Sequence, residues 1–336
     1  MNFNTTVLHD SNVSSHSHPT KSTLDIVFYT IIILLGTTGN SVVIWVAGGR
    51  MKLNVTNIWL INLAVADLIF CVSRVTSLVT IFIGYWPFGD FVCKFMSFIK
   101  YTNMFCSVFL LAVISVDRMI CVWCPVFARN KRTLCAARVV SLGIWIVAII
   151  CSSPNFVFRG VNTDDSNFSD CYTKEEPNKT NSAKYVFYYI RFFCGFVFPF
   201  LVIFICYTLA AVGIRRTRLS GKSRPLRILA LLVFTFLLCW APYHIIGLIK
   251  MINSKHPAVK LGWRKSSNLA YINSCVNPIL YFCVGLNLKQ RCNQTLLGIF
   301  HRALTEGDQT PTPGGSVEEQ SKSLSKTADT DHQTPE

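Results

Sequence analysis

Charge is scarce in this sequence, and negative charge is scarcer still. Aspartate and glutamate total 17 of 336 residues against 32 lysines and arginines, and 15% of the chain is charged. A soluble protein carries about 25% charged residues, so an ordinary water-soluble globule is excluded. No cleavable leader is expected either: residues 1–24 are polar and lack a short apolar core followed by small residues. The histidines form no metal-spaced cluster and no nucleophile–base motif is present, which argues against a membrane enzyme. No inverted repeat is evident and the number of apolar stretches is odd, which argues against a transporter.

What the chain has instead is apolar length. Hydrophobic residues make up 51% of it, and a membrane helix needs about 20 in a row. Spans are predicted at 26–47, 58–83, 95–122, 137–157, 185–214, 228–249 and 266–284. The third and seventh read as the weakest, because they carry Lys100, Asn103, Asp117, Asn273 and Asn277. Polar groups at such depth face a bundle interior and mark function. The expected fold is therefore an all-α membrane protein, a seven-helix bundle over 26–284.

Net charge is +15, but the basic residues sit in short loops between spans rather than on one face, so no nucleic-acid partner is expected. Arg50 and Lys52, then Arg129, Lys131 and Arg132, then 215–227 alternate with more acidic loops. Basic loops stay cytoplasmic. That places residues 1–25 outside as an N-terminal tail and the C-terminus inside. Lys250, Lys255, Lys260, Arg264 and Lys265 break the rule, in a predicted outer loop between the sixth and seventh spans. Of 14 cysteines, only Cys93 and Cys171 fall on the outer side. Outer thiols oxidise, so these two are expected to pair. Asn4, Asn12, Asn167 and Asn178 head outer glycosylation sequons, whereas Asn54 and Asn293 head inner ones and are expected to stay bare.

The polar punctuation of the spans is specific as a set. Gly39-Asn40 lies in the first, Asn62-Leu63-Ala64-Val65-Ala66-Asp67 in the second and Asp117-Arg118-Met119 at the end of the third. Trp145 follows in the fourth, Pro199 and Tyr207 in the fifth, Cys239-Trp240-Ala241-Pro242 in the sixth, and Asn277-Pro278-Ile279-Leu280-Tyr281 in the seventh. The set resembles the rhodopsin-like (class A) G-protein-coupled receptors, from residue 26 to about 303. The resemblance implies a sodium ion, as an allosteric ligand, in a polar cluster of Asp67, Asn103, Ser107, Asn273, Ser274 and Asn277. No other cofactor is implied. It also implies an activation switch of Trp240 and Phe236 above a pivot at Pro242, with Tyr207 and Tyr281, and Arg118 held off by Asp117. Pro199, Pro242 and Pro278 each remove a helical hydrogen bond and leave a kink. Met119 stands where the family usually has tyrosine, and Lys222 stands where an acid would lock Arg118 to the sixth span, so appreciable basal activity is expected.

After the seventh span, Leu288, Cys292, Leu296 and Phe300 repeat every four residues. This predicts a short amphipathic eighth helix over 285–304 on the inner membrane face, with Cys292 a palmitoylation candidate. Residues 305–336 are Ser-, Thr-, Pro- and acid-rich, predicting a disordered tail for receptor kinases and arrestin.

A finer resemblance is to the chemoattractant receptors for formyl peptides, chemerin, anaphylatoxins, leukotriene B4 and prostaglandin D2. Trp86-Pro87-Phe88-Gly89 fits this cluster. Ser223-Arg224-Pro225-Leu226-Arg227 and Arg302-Ala303-Leu304-Thr305-Glu306 look like formyl peptide receptors. Val113-Ile114-Ser115-Val116 before Asp117-Arg118, and Val157-Phe158-Arg159 after Ser152-Ser153-Pro154, look more like chemerin receptors. Arg132-Thr133 with Gly143-Ile144-Trp145 suits leukotriene B4 receptors. Arg191, in Ile190-Arg191-Phe192 before Gly195-Phe196, resembles a formyl peptide receptor's pocket arginine. That family's pocket acid in the third span is Tyr101 here, and its second arginine in the fifth is Phe187. The second span lacks the cluster's usual proline, so its outer end is expected to run straighter. Arg74, Lys100 and Arg191 lie in outer half-spans with no acid at comparable depth, and Tyr101, His244 and Arg264 complete the candidate ligand site. Unpaired cations there call for an anion: a peptide carboxylate, or a lipid carboxylic acid. The resemblance implies a plasma-membrane receptor for chemotaxis, coupled to an inhibitory-class G protein.

Overall fold

In the computed structural model the described residues are 23–163, 169–173, 182–217, 223–253 and 256–284. The sequons at Asn4, Asn12, Asn167 and Asn178, the segment 285–304 with Cys292, and the tail 305–336 lie outside them.

Apart from short connections and one strand pair, the described chain is helical. Its helices are α1 (Thr23–Trp45), α2 (Val55–Ser73), α3 (Val75–Ile83), α4 (Gly89–Trp123), α5 (Pro125–Lys131), α6 (Leu134–Ser152), α7 (Asn155–Phe158), α8 (Ser182–Phe192), α9 (Phe198–Thr217), α10 (Ser223–Ile252) and α11 (Pro257–Val284). Local chemistry sets several starts. The Asn54 side chain accepts from the Asn57 amide at the head of α2, and Thr133 accepts from Ala136 at the head of α6, which satisfies otherwise orphaned N–H groups. Pro125 opens α5 and Pro257 opens α11, where a missing N–H costs nothing.

Six helical stretches are long and apolar enough to cross a membrane: 23–50, 55–83, 89–123, 134–158, 185–216 and 229–252. The seventh, α11, has the length at 28 residues but is diluted by its polar face. The third span is not weak, contrary to its reading from sequence. Its best window is more apolar than those of the first, second and sixth, because its polar residues gather toward the ends and leave 104–116 mostly apolar. α4 runs through the bundle and touches α2, α6, α9 and α10. Leu34, Ile69, Val147, Phe198 and Leu238 are exposed and form part of the lipid-facing surface.

Three departures from the sequence reading shape the outer half. The second span is interrupted at Arg74. At Arg74 the amide turns back to Cys71 at 3.1 Å, a tightened turn that splits α2 from α3 without proline. The fifth span carries a π-helical segment, Phe193–Val197, just ahead of Pro199. Gly195 within it packs so closely on α4 that a Cβ would sit 2.8 Å from the Met104 methyl. The seventh span begins at Pro257 rather than 266, so Lys260, Arg264 and Lys265 lie on a helix and not in a loop.

A short antiparallel ribbon, β1 (Arg159–Thr163) and β2 (Ser169–Thr173), pairs Val161 with Cys171. Cys171 is disulfide-bonded to Cys93 at the head of α4.

Candidate functional site

The three buried-half cations lie close together, linked by shared tyrosine rings. Lys100 Nζ lies 5.0 Å from the centre of the Tyr271 ring, and the Arg74 guanidinium lies 5.4 Å from the same ring. Lys100 also sits 4.8 Å from Tyr243 and 5.7 Å from Tyr101. Arg191 faces Tyr188 at 4.6 Å, Tyr101 at 4.7 Å and Tyr243 at 5.8 Å. Aromatic faces attract cations, by about 0.5–2 kcal/mol each, but they do not neutralise them. Among the described residues no carboxylate pairs with Arg74, Lys100 or Arg191.

Each cation is held differently. Arg74 is buried, lies 4.7 Å over Phe70, and donates from Nε and Nη2 to Ser73 Oγ. Lys100 is 7% exposed. Arg191 is partly open, yet its Nε is sealed from solvent and has no hydrogen-bond partner among the described residues. Arg264 stands apart: it is exposed and ion-paired with Asp25 at the start of α1, so its charge is already matched.

Tyr243 joins this site to the helix core. Its hydroxyl meets that of Tyr101 at 2.8 Å, and its ring meets Trp263 at 4.6 Å. One turn inward lies Trp240, edge-on to Tyr243 at 5.6 Å and stacked over Phe236 at 6.1 Å. Pro242 lies within α10 between them. His244 is fully buried against Phe196 at 4.8 Å, and both ring nitrogens lack hydrogen-bond partners among the described residues. Tyr188 donates to the His244 carbonyl at 3.0 Å. The sequence reading missed Tyr188, Tyr243 and Tyr271. The available signal was their three-residue helical spacing from Arg191, Trp240 and Ser274.

The strand ribbon roofs the site. Arg159 donates to Ser97 on α4 at 3.3 Å, the Val161 amide donates to Asp90, and the Trp86 amide donates to the Ser169 carbonyl.

Deeper in the bundle, Asp67 accepts from Asn103 at 2.9 Å and from Asn277 at 2.7 Å, and Ser274 donates to Asn103 at 3.2 Å. Asn273 and Ser107 are also buried, and Ser107 Oγ has no partner among the described residues. A hard monovalent cation suits this set. It offers one carboxylate and several neutral oxygens, one of them uncommitted, whereas calcium sites gather several carboxylates. Among the described residues no group of three His, Cys, Asp or Glu could hold another metal.

At the inner end, Asp117 holds Arg118 at 2.5 Å and also Arg132 at 2.7 Å. Thr56 accepts from both guanidiniums, at 2.8 and 3.0 Å. Partial burial works against the Arg132 charge, but the hydrogen bond and charge of Asp117 outweigh it and raise the pKa. Neither Thr56 nor the Arg132 pairing was foreseen from sequence. Tyr281 is buried with its hydroxyl unpartnered among the described residues, and Tyr207 is half-buried on α9.

Comparison with known proteins agrees with this layout. The profile of the family described as 7 transmembrane receptor (rhodopsin family) matches residues 39–281. Formyl peptide receptor 2 of Mus musculus is 35% identical over 100% of this chain and 98% of its own length. The C3a anaphylatoxin chemotactic receptor of Oncorhynchus mykiss is 36% identical over 89% of this chain and 84% of its own. N-formyl peptide receptor 3 of Homo sapiens is 36% identical over 82% of this chain and 83% of its own.

Proposed function

The chain belongs to the rhodopsin family of seven-transmembrane receptors, among the chemoattractant receptors, and on that premise we propose that it binds an extracellular anionic ligand and signals through an inhibitory-class G protein. The family is one of multi-pass membrane receptors, not of enzymes. The ligand is a peptide with a free C-terminus, or a formyl-peptide-like one. The observation that carries this reading is three inward cations on shared tyrosine rings with no carboxylate paired to them among the described residues. Tyr101 and Phe187 in place of the formyl peptide receptors' acid and second arginine favour the carboxylate over the formyl end. A lipid carboxylic acid is the second reading, supported by Phe192 and Phe196 packed around His244 beside the charged centre.

A ligand carboxylate docks on the fork of Arg191, the residue type suited to bidentate acid recognition. It disturbs the Tyr101–Tyr243 pair, and Tyr243 passes the shift to Trp240 and Phe236. α10 then pivots at Pro242, and Arg118 leaves Asp117 to meet the G protein. When bound, a sodium ion at Asp67, Ser107 and Asn103 supplies positive charge that offsets the buried carboxylate. In this scheme the receptor sits in the plasma membrane with residues 1–25 outside and the C-terminus inside, where the tail meets receptor kinases and arrestin.

The test is a paired screen. Peptide and lipid acids and their amides are applied to purified receptor with an inhibitory-class G protein, and nucleotide exchange is read. Free acids are expected to activate and their amides to lose most potency. Activation by amines alone would sink the reading.

A further inference from the structure

The cytoplasmic cluster holds two guanidiniums on one carboxylate, and this arithmetic has a direction. Asp117 Oδ2 binds Arg118 Nη2 at 2.5 Å and Arg132 Nη2 at 3.2 Å, while its Oδ1 binds Arg132 Nε at 2.7 Å. The two Nη2 atoms also share Thr56 Oγ1, at 2.8 and 3.0 Å. Two like charges therefore converge on one hydroxyl and one acid. Arg132 has the two-point grip and Arg118 a single bond to the acid. Arg132 stands between α5 and α6, where its backbone amide closes the end of α5 on Ala128 at 3.0 Å.

We infer that Arg132 is a positioning residue that weakens the hold of Asp117 on Arg118 and keeps Asp117 paired once Arg118 leaves. In the resting arrangement it competes for the acid and repels Arg118 across Thr56. In the open arrangement it takes the whole carboxylate, so no charge is stranded. An isolated carboxylate left partly buried would cost free energy on opening, and Arg132 removes that cost. The lock is thus loaded toward release, and no other acid contacts Arg118 among the described residues. This inference rests on the receptor reading, and its tests separate the two.

Removing Arg132 leaves Asp117 to Arg118 alone and tightens the lock. Arg132→Ala is expected to lower ligand-independent nucleotide exchange roughly two- to fivefold at equal surface expression, the range of an ion pair that keeps some solvent contact. Arg132→Lys retains the charge without the planar fork and is expected to fall between. A second readout needs no G protein. Methyl-labelled methionine NMR of Met119, beside Arg118, reports the balance of resting and open states, assigned through Met119→Leu. Arg132→Ala should move that signal toward the resting state. If the G protein is the wrong class, exchange is silent for every variant while the Met119 shift persists. A shift toward the open state, a rise in basal exchange, or an unchanged Met119 signal in a folded variant overturns the inference.

Discussion

Arg191→Ala is the perturbation that most directly reads ligand charge. The guanidinium sits 4.7 Å from Tyr101 and 4.6 Å from Tyr188, and its Nε has no hydrogen-bond partner among the described residues. A ligand carboxylate placed there gains a charge-assisted hydrogen bond worth about 1.5–3 kcal/mol. Losing it weakens binding roughly 10- to 100-fold, since about 1.4 kcal/mol is one decade. The substitution also removes ring contacts worth about 0.5–2 kcal/mol each, but those act on the empty receptor as well. The informative quantity is therefore a ratio. Potency of an acidic agonist is divided by potency of its methyl ester or amide, in wild type and in Arg191→Ala. The acid should lose one to two decades and the neutral analogue far less. Lys100→Ala should follow the same pattern more weakly, as a lysine is a point charge without a fork. Equal losses for acid and neutral ligand in both variants would refute anionic recognition.

Three further outcomes are expected. Asp67→Asn should abolish any effect of sodium on agonist affinity, measured by displacement in sodium against a large organic cation; persistence of the effect places the ion elsewhere. Arg118→Ala should remove nucleotide exchange while leaving surface labelling intact, and normal exchange from it would remove Arg118 from the coupling face. Gly247→Ala places a methyl against the Tyr188 hydroxyl, an overpacking worth about 1–3 kcal/mol. A lower thermal midpoint in detergent checks it, and an unchanged midpoint contradicts the packing of α8 on α10.

The spans were legible because a bilayer demands long apolar runs, and the run lengths survive any packing detail. Breaks within them were not. Nothing in Val72-Ser73-Arg74-Val75 announces a tightened turn, because Arg74 is pulled inward by Phe70 and Tyr271 on its own and a distant helix. The outward start of α11 was hidden because lysines and an arginine on one helical stretch read as loop charge. In the site, cations stand out in an apolar sequence while tyrosines do not: Tyr243 and Tyr271 look like core aromatics until their partners are placed. The polar layer around Asp67 was visible because every member is an exception to its span. The inner cluster was half visible, since Arg118 and Asp117 are neighbours in sequence and Thr56 and Arg132 reach them only through folding.

The strand ribbon over the cations is fastened on several sides, by Cys93, Ser97, Asp90 and the Trp86 amide. A roof tied at so many points is a wall and not a door. In the proposed receptor, ligand traffic passes beside this ribbon rather than through a swinging lid. Selectivity is then set by the cations and rings inside, and loosening the ribbon is expected to speed entry and exit together without changing which molecules are chosen.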